Sequence, residues 1–254
     1  MNYETIQVTW RDTVCHLQLH RPMDRNTIND RLIAECTNVL THCEEAASVV
    51  VVEGHPDYFC FGADFNDLNT RDIDETTAGQ HPDSLYDLFL KLATGPYVSV
   101  AHVRGKANAG GVGLVAASDV VVADSDAHFS LSELLFGLYP ACVLPFLIRR
   151  CGFQNAHYMT LITRPFTADE AVRLHLADVA GSDSQALLRK QLTRLKCLPK
   201  PGIARYKRYM NQLNESLTMA KPLAVAGNVE AFTDEGNLTR IRRYVEEGTL
   251  PWQQ

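Results

Sequence analysis

The segment from Tyr97 to Asp124, YVSVAHVRGKANAGGVGLVAASDVVVAD, constrains the fold of this chain more than any other stretch. An apolar strand pattern runs into four glycines, then into a helix of small residues (GGVGLVAAS), then into a second apolar strand, DVVVAD. Strand, helix and strand in that order predict a parallel sheet or stacked turns of strand and helix. The bare backbone has two readings. It can be a close-packing surface, or a helix N-terminus where exposed N–H groups hold a developing oxyanion. Phosphate loops are excluded, because Gly105 to Gly113 does not give G-x-G-x-x-G and no Lys-Ser/Thr pair follows at the required spacing. Ala109-Gly110-Gly111 lies at the mouth of the predicted helix, where the lack of side chains lets a carbonyl oxygen come close.

The rest of the chain extends this pattern. TIQVTW and VCHLQLH alternate as paired strands, and NDRLIAECTNVLTHCEEA has helical spacing. SVVVVEG reads as a strand buried on both faces. A polar insert from about Asp67 to Asp83 is expected to be a surface loop, and SLYDLFLKLAT a helix ended by Gly95-Pro96. From about Val143 onward strand patterns almost vanish, and VLPFLIRRCG, FQNAHYMTLIT, TADEAVRLHLA, SQALLRKQLTRLK and GIARYKRYMNQLNESL all read as helices. We therefore expect an α/β core over 1–143 and a helical region over 144–254, with no internal repeat.

Composition narrows the function. A net charge of −6 argues against a dedicated nucleic-acid binder. MNYETIQVTWRD has neither the basic nor the apolar segment of a secretory signal, and no apolar run reaches the length of a membrane span. Seven scattered cysteines without a C-x-x-C pair suit a reducing cytoplasm, and the histidines show no metal-ligand spacing.

Two further segments carry chemistry. In YFCFGADFNDL, residues 58–68, Asp64 reads as a helix cap or as a substrate-binding carboxylate, while the N–H of Ala63 is a second candidate oxyanion donor. In HFSLSELLFGLYPA, Glu133 sits among apolar neighbours as a candidate general base. Ser130 three residues earlier offers the competing reading of a capping box.

FGADF, RGKANAGGVGLVAASD and HFSLSELLFGLYP, in this order and flanked by HRPMDRNTIND and TADEAVRLHLADV, resemble the crotonase (enoyl-CoA hydratase/isomerase) superfamily over essentially the whole chain. The resemblance implies a spiral of ββα turns with a C-terminal helical region, assembled as a trimer or dimer of trimers. It also implies an acyl-thioester enolate held by the N–H groups of Ala63 and Gly110. Hydratases of that superfamily carry two glutamates. Glu133 matches the second, whereas Gly113 stands where the first would be, a gap in which water could sit.

LFGLYPACVLPFLIRRCGFQNAHYMTL, ARYKRYMNQL and IRRYVEEGTLPW are further similar to the crotonase-like dehydratases of polyketide β-branching cassettes. That resemblance implies conversion of a 3-hydroxy-3-methylglutaryl thioester to a 3-methylglutaconyl thioester on an acyl carrier protein, without a cofactor. The tail VEEGTLPW lacks the basic cluster with which CoA-using relatives hold the nucleotide. Arg205, Lys207, Arg208 and Arg242, with Arg240 and Arg243, are the expected contacts to an acidic carrier protein. With one carboxylate missing, the acid for the leaving hydroxyl falls to Glu133 itself, Tyr139 or Asn108. For the distal carboxylate of the substrate the candidates are His81, Lys91, Tyr86 and Arg71. An isomerase acting on free CoA thioesters and a non-catalytic thioester-binding scaffold are the alternatives.

Overall fold

The structure is a computed structural model that describes residues 3–65 and 81–252. The chain winds as a spiral in which each turn gives one strand to each of two sheets. The larger sheet has the order β1 (Ile6–Arg11), β2 (Val14–Leu19), β3 (Val49–Glu53), β5 (Val98–Val103), β7 (Val120–Asp124), β10 (Val179–Gly181). The smaller has the order β4 (Tyr58–Cys60), β6 (Lys106–Asn108), β8 (His128–Ser130), β9 (Phe166–Thr167). The β1–β2 and β8–β9 pairs are antiparallel and every other pair is parallel. Successive turns therefore place β3, β5 and β7 side by side in one sheet and β4, β6 and β8 side by side in the other.

The valine run behaves as its composition requires. In β3 Val50 and Val52 face the main core, while Val49 and Val51 face a second apolar cluster closed by Leu188. That two-sided burial follows from the two-residue period of a strand covered on both faces. Helix α1 (Asp30–Ala46) is capped by Asn29, whose side chain accepts from the Leu32 N–H, and packs Leu32, Ile33, Cys36, Val39 and Leu40 inward. Helices α2 (Pro82–Thr94) and α3 (Gly110–Ala117) follow β4 and β6. Most of the expected polar insert lies outside the described residues, and its last two positions, Pro82 and Asp83, open α2.

Beyond Val143 come α4 (Leu144–Cys151), α5 (Phe153–Ile162), α6 (Ala168–Arg173), α7 (Ser184–Leu195), α8 (Lys200–Leu213), α9 (Ser216–Thr233) and α10 (Glu235–Glu247). Strands do not end there, however. Short β9 and β10 return to the edges of the two sheets, so residues beyond the expected 143/144 boundary complete both sheets. Among the described residues no helix is long and apolar enough to cross a membrane.

Candidate active site

The candidate oxyanion donors come from two chain segments that no local rule brings together. After β4, Gly62 turns with φ +85°, and Ala63 forms an isolated parallel bridge with Ile28. The Ile28 N–H donates to Gly62 O at 2.7 Å and the Asp64 N–H donates to Ile28 O at 3.1 Å. Alternate N–H groups of an extended chain face opposite sides, so that of Ala63 points away from Ile28. After β6, Ala109 adopts φ +51°, ψ −118°, a strained combination for an alanine. Its ψ sets the plane of the peptide that carries the Gly110 N–H, the first donor of α3. Among the described residues neither the Ala63 nor the Gly110 N–H has a backbone acceptor.

Close approach explains the glycines. A Cβ on Gly62 would lie 2.6 Å from Ala109 Cβ and 3.2 Å from Gly110 N. A Cβ on Gly111 would lie 2.4 Å from Cys60 O. The bare stretch is thus bare on both sides: it packs against β4, and it leaves its first N–H groups open.

Ala63, Gly110 and Glu133 all line one cavity of about 710 Å³. Its walls are largely apolar, with Ile28, Phe136, Leu138 and Phe232 among them. Glu133 opens a 3-10 turn, Glu133–Phe136, just after β8. The capping-box reading does not hold. Ser130 Oγ donates instead to Asn108 Oδ1 at 2.8 Å, and Glu133 Oε2 is buried with no partner among the described residues. Burial raises the carboxyl to about 7, opposed by the backbone N–H groups of Glu133 and Ser132. A carboxyl with that value can take a proton and return it at neutral pH.

Asn108 lines the cavity, yet its carboxamide is occupied as a clamp. Oδ1 accepts from Ser130 and, at 3.2 Å, from Ser132, while Nδ2 donates to Phe61 O at 3.4 Å. It ties β6 to the chain after β4 and β8, which holds both donor loops and the Glu133 turn in register. Asp64 also lines the cavity; its carboxylate is taken by Arg21 Nη2 at 2.9 Å and Thr27 Oγ1 at 3.0 Å. The residues that Asp64 was expected to cap as a helix fall beyond Phe65, outside the described residues. Tyr139 lines the cavity too, but its hydroxyl donates to Glu230 Oε2 at 3.2 Å. Burial and the Glu230 carboxylate raise its pKa, making it a poorer acid than a free phenol.

Several expected positions lie elsewhere. Tyr86 is fully buried, packs on Phe146, and donates to Leu217 O at 2.6 Å; its neighbour Leu85 meets the cavity instead. The Tyr86 side chain therefore joins α2 to α9 and cannot bind substrate. Lys207 is no surface contact either: it is 6 % exposed and its ammonium is paired with Asp119 at 2.5 Å. Arg205, Arg208, Arg240, Arg242 and Arg243 are exposed. Arg205 and Arg208 flank Lys207 on α8, and Asp119 follows the end of α3 opposite Gly110, roughly 12 Å along the helix axis. Lys91 is engaged by Glu44, His81 is exposed just before α2, and Arg71 lies outside the described residues.

The gap left by Gly113 is filled rather than wet. A Cβ there would lie 2.5 Å from Phe89 Cζ and 3.1 Å from Val143 Cγ2, and Phe89 is fully buried. An aromatic ring occupies the side from which a second carboxylate or its water would act. A cavity residue that sequence reasoning missed is Asn228 on α9, whose Oδ1 is buried and without a partner among the described residues. Its only local sign is one carboxamide within the apolar run LAVAGNVEAF.

Comparison with known proteins agrees with this geometry. The family model for enoyl-CoA hydratase/isomerase matches residues 9–254. The bacillaene synthase dehydratase PksH of Bacillus subtilis is 51 % identical over 254 residues, which are 100 % of this chain and 98 % of that protein. The 2,3-dehydroadipyl-CoA hydratase of Escherichia coli is 33 % identical over 69 % of each chain. A crystal structure of the polyketide biosynthesis enoyl-CoA hydratase from Bacillus subtilis superposes with a TM-score of 0.93 at 51 % identity, covering 98 % of this chain and 100 % of that one. An enoyl-CoA hydratase from Bacillus halodurans shares the fold at 21 % identity, with a TM-score of 0.82 over 94 % of this chain and 99 % of that one. The chain belongs to the enoyl-CoA hydratase/isomerase family.

Proposed function

We propose that this protein is a hydro-lyase of polyketide biosynthesis that removes water from a 3-hydroxy-3-methylglutaryl group carried as a thioester on an acyl carrier protein. The observation that carries the reading is the meeting of the Ala63 and Gly110 N–H groups in one cavity with Glu133, a buried carboxyl whose Oε2 has no partner among the described residues. The full-length relative named as a polyketide synthase dehydratase supports the reaction class.

The thioester oxygen is held by the N–H groups of Ala63 and Gly110. Each such donor stabilises the transition state by about 3 kcal/mol. Glu133 takes the α-proton and the electron pair moves to the thioester oxygen. As the carbonyl re-forms, the Cα–Cβ double bond forms and the Cβ–O bond breaks. The proton returns from Glu133 to the departing oxygen, releasing water and regenerating the carboxylate. No second carboxylate is needed for this syn path, in keeping with the Phe89 ring over Gly113. The chain's own backbone and carboxyl supply the chemistry without a cofactor.

Carrier-protein docking falls to exposed arginines, Arg242 near the C-terminal end of α10 and Arg205 and Arg208 on α8. Tyr244, Val245 and Gly248 at the end of α10 line the cavity, so Arg242 and Arg243 are the candidates closest in sequence to its wall. The core over 1–143 carries the donors and the base; 144–254 supplies the far wall and the assembly surface. Tyr206, Tyr209, Met210 and Leu213 form an exposed apolar stripe on α8, and Met219 and Leu223 add to the exposed apolar surface on α9. Such surface suits self-association, here a trimer or dimer of trimers in the cytoplasm.

Intact-protein mass spectrometry tests the reading. The carrier-bound 3-hydroxy-3-methylglutaryl thioester should lose one water much faster than the CoA ester. Preference for the CoA ester would overturn the carrier assignment. An inert enzyme would point to enoyl-CoA isomerisation, for which one base suffices, and failure there to a thioester-binding scaffold.

A further inference from the structure

Glu133 and Asn228 both line the cavity, and each carries one oxygen, Oε2 and Oδ1, that is buried and without a partner among the described residues. A native interior rarely leaves a carboxamide oxygen in this state, because the desolvation loss is not offset by a hydrogen bond. Asn228 is also held in place. On either side of it in α9, Gly227 and Glu230 receive Tyr139: the ring packs on the helix backbone so closely that a Cβ on Gly227 would lie 2.9 Å from the Tyr139 hydroxyl, which itself donates to Glu230. Tyr139 thus fixes the part of α9 that presents Asn228, a task that uses up its own hydroxyl.

An unpaired oxygen acceptor calls for a donor from the ligand. A 3-hydroxyacyl thioester has a hydroxyl on the carbon that loses it, and the enoyl product has none. We propose, building on the dehydratase reading, that Asn228 is a substrate-binding residue whose Oδ1 accepts the hydrogen bond of the β-hydroxyl and turns a lone pair of that oxygen toward Glu133. The hydroxyl keeps its own hydrogen, directed at Asn228. The proton that Glu133 took from Cα enters on the lone pair as the Cβ–O bond breaks, and the leaving group is water. Asn228 acts in the elimination half of the reaction, whereas Glu133 acts in both halves.

The test separates the two halves. Wild type, Asn228→Ala and Asn228→Leu are incubated in D2O with the carrier-bound 3-hydroxy-3-methylglutaryl thioester. Water loss and α-deuterium in recovered substrate are read by mass spectrometry. Water loss should fall about 100-fold in both variants, while α-deuterium uptake stays within about threefold of wild type. The leucine variant, which removes the unpaired oxygen, should also melt about 2–4 °C higher than wild type. Water loss within about threefold of wild type, or a parallel fall in water loss and α-deuterium uptake, would overturn the assignment. So would a lower melting temperature for Asn228→Leu, which would mark a structural role. An inert wild-type enzyme would overturn the substrate reading and this proposal together; an active wild type beside equally active variants would overturn Asn228 alone.

Discussion

Two buried carboxyl groups, Glu133 in the cavity and Glu53 at the end of β3, have opposite fates. Burial pushes both upward. At Glu53 this is more than reversed by hydrogen bonds from His102 and His16 and by their proximity, which hold the carboxyl at about 2. His102 Nδ1 donates to Glu53 Oε1 at 2.8 Å and its Nε2 is paired with Ser184 Oγ at 3.1 Å; that hydroxyl donates to Asp124 Oδ2 at 2.8 Å. The chain of partners links β2, β3, β5 and β7 with α7 and leaves no atom of Glu53 idle. Glu133 is more deeply buried, has no histidine beside it and only the backbone N–H groups of Glu133 and Ser132 to oppose burial, and stands at about 7. Burial alone does not decide where a carboxyl titrates; what opposes the burial does.

The largest effect that sharpens this contrast is on turnover. Glu133→Gln should lower single-turnover dehydration about 10³-fold with no loss of melting temperature, since it removes a carboxyl whose charged form burial disfavours. Retained turnover would break the assignment of Glu133 as base. Gly62→Ala should lower activity about 100-fold, because its Cβ would displace Ala109 and the Gly110 N–H. Steady-state kinetics on soluble, folded variant would check it.

Next come effects on stability. His102→Ala should cost about 3 kcal/mol in denaturant unfolding, because Glu53 is left buried beside one fewer partner, with turnover per folded molecule unchanged. Gly113→Ala should cost about 1–3 kcal/mol through collision with Phe89, and Phe89→Leu in the same chain should recover much of it. Additive losses in that double-mutant cycle would mean that Phe89 does not fill the site.

The pH responses have opposite signs. Glu53 lies below its usual value of 4.5, so its stabilisation is full above that pH and is lost as pH falls toward about 2. Glu133 lies above 4.5, so folding favours its protonated form, and stability falls as pH rises from 4.5 through about 7. Glu133→Gln should flatten the second slope and leave the first. Over the same range kcat/KM should climb as the Glu133 carboxylate forms, levelling above about 7.

Local patterns in the chain carry much of the fold. Strand alternation in TIQVTW and VCHLQLH, the valine run and the helix of small residues each appear where residue chemistry places them. Glycine bareness and a lone glutamate among apolar residues made the donors and base visible as candidates, but close packing and a capping box read equally well locally, and only the family resemblance of the ordered segments favoured the chemistry. Tyr86 and Lys207 were misread for one reason: a tyrosine or lysine on a helix looks the same whether its polar tip meets solvent, Leu217 O or Asp119. Asn228 had too faint a sign to be seen, since nothing local distinguishes a surface carboxamide from one facing a cavity.

By itself the sequence determined where backbone would be exposed, which strands would be buried on both faces, and that one glutamate rather than two would be present. Only the tertiary structure decided which groups meet. Gly62 and Gly110 are 48 residues apart in number yet nearly in contact. The partners that fix a pKa or close a gap, Phe89 over Gly113 and the absence of one for Glu133, come from distant turns of the spiral. Propensity and periodicity act over a few residues, whereas electrostatics and packing depend on what the chain brings back from far away.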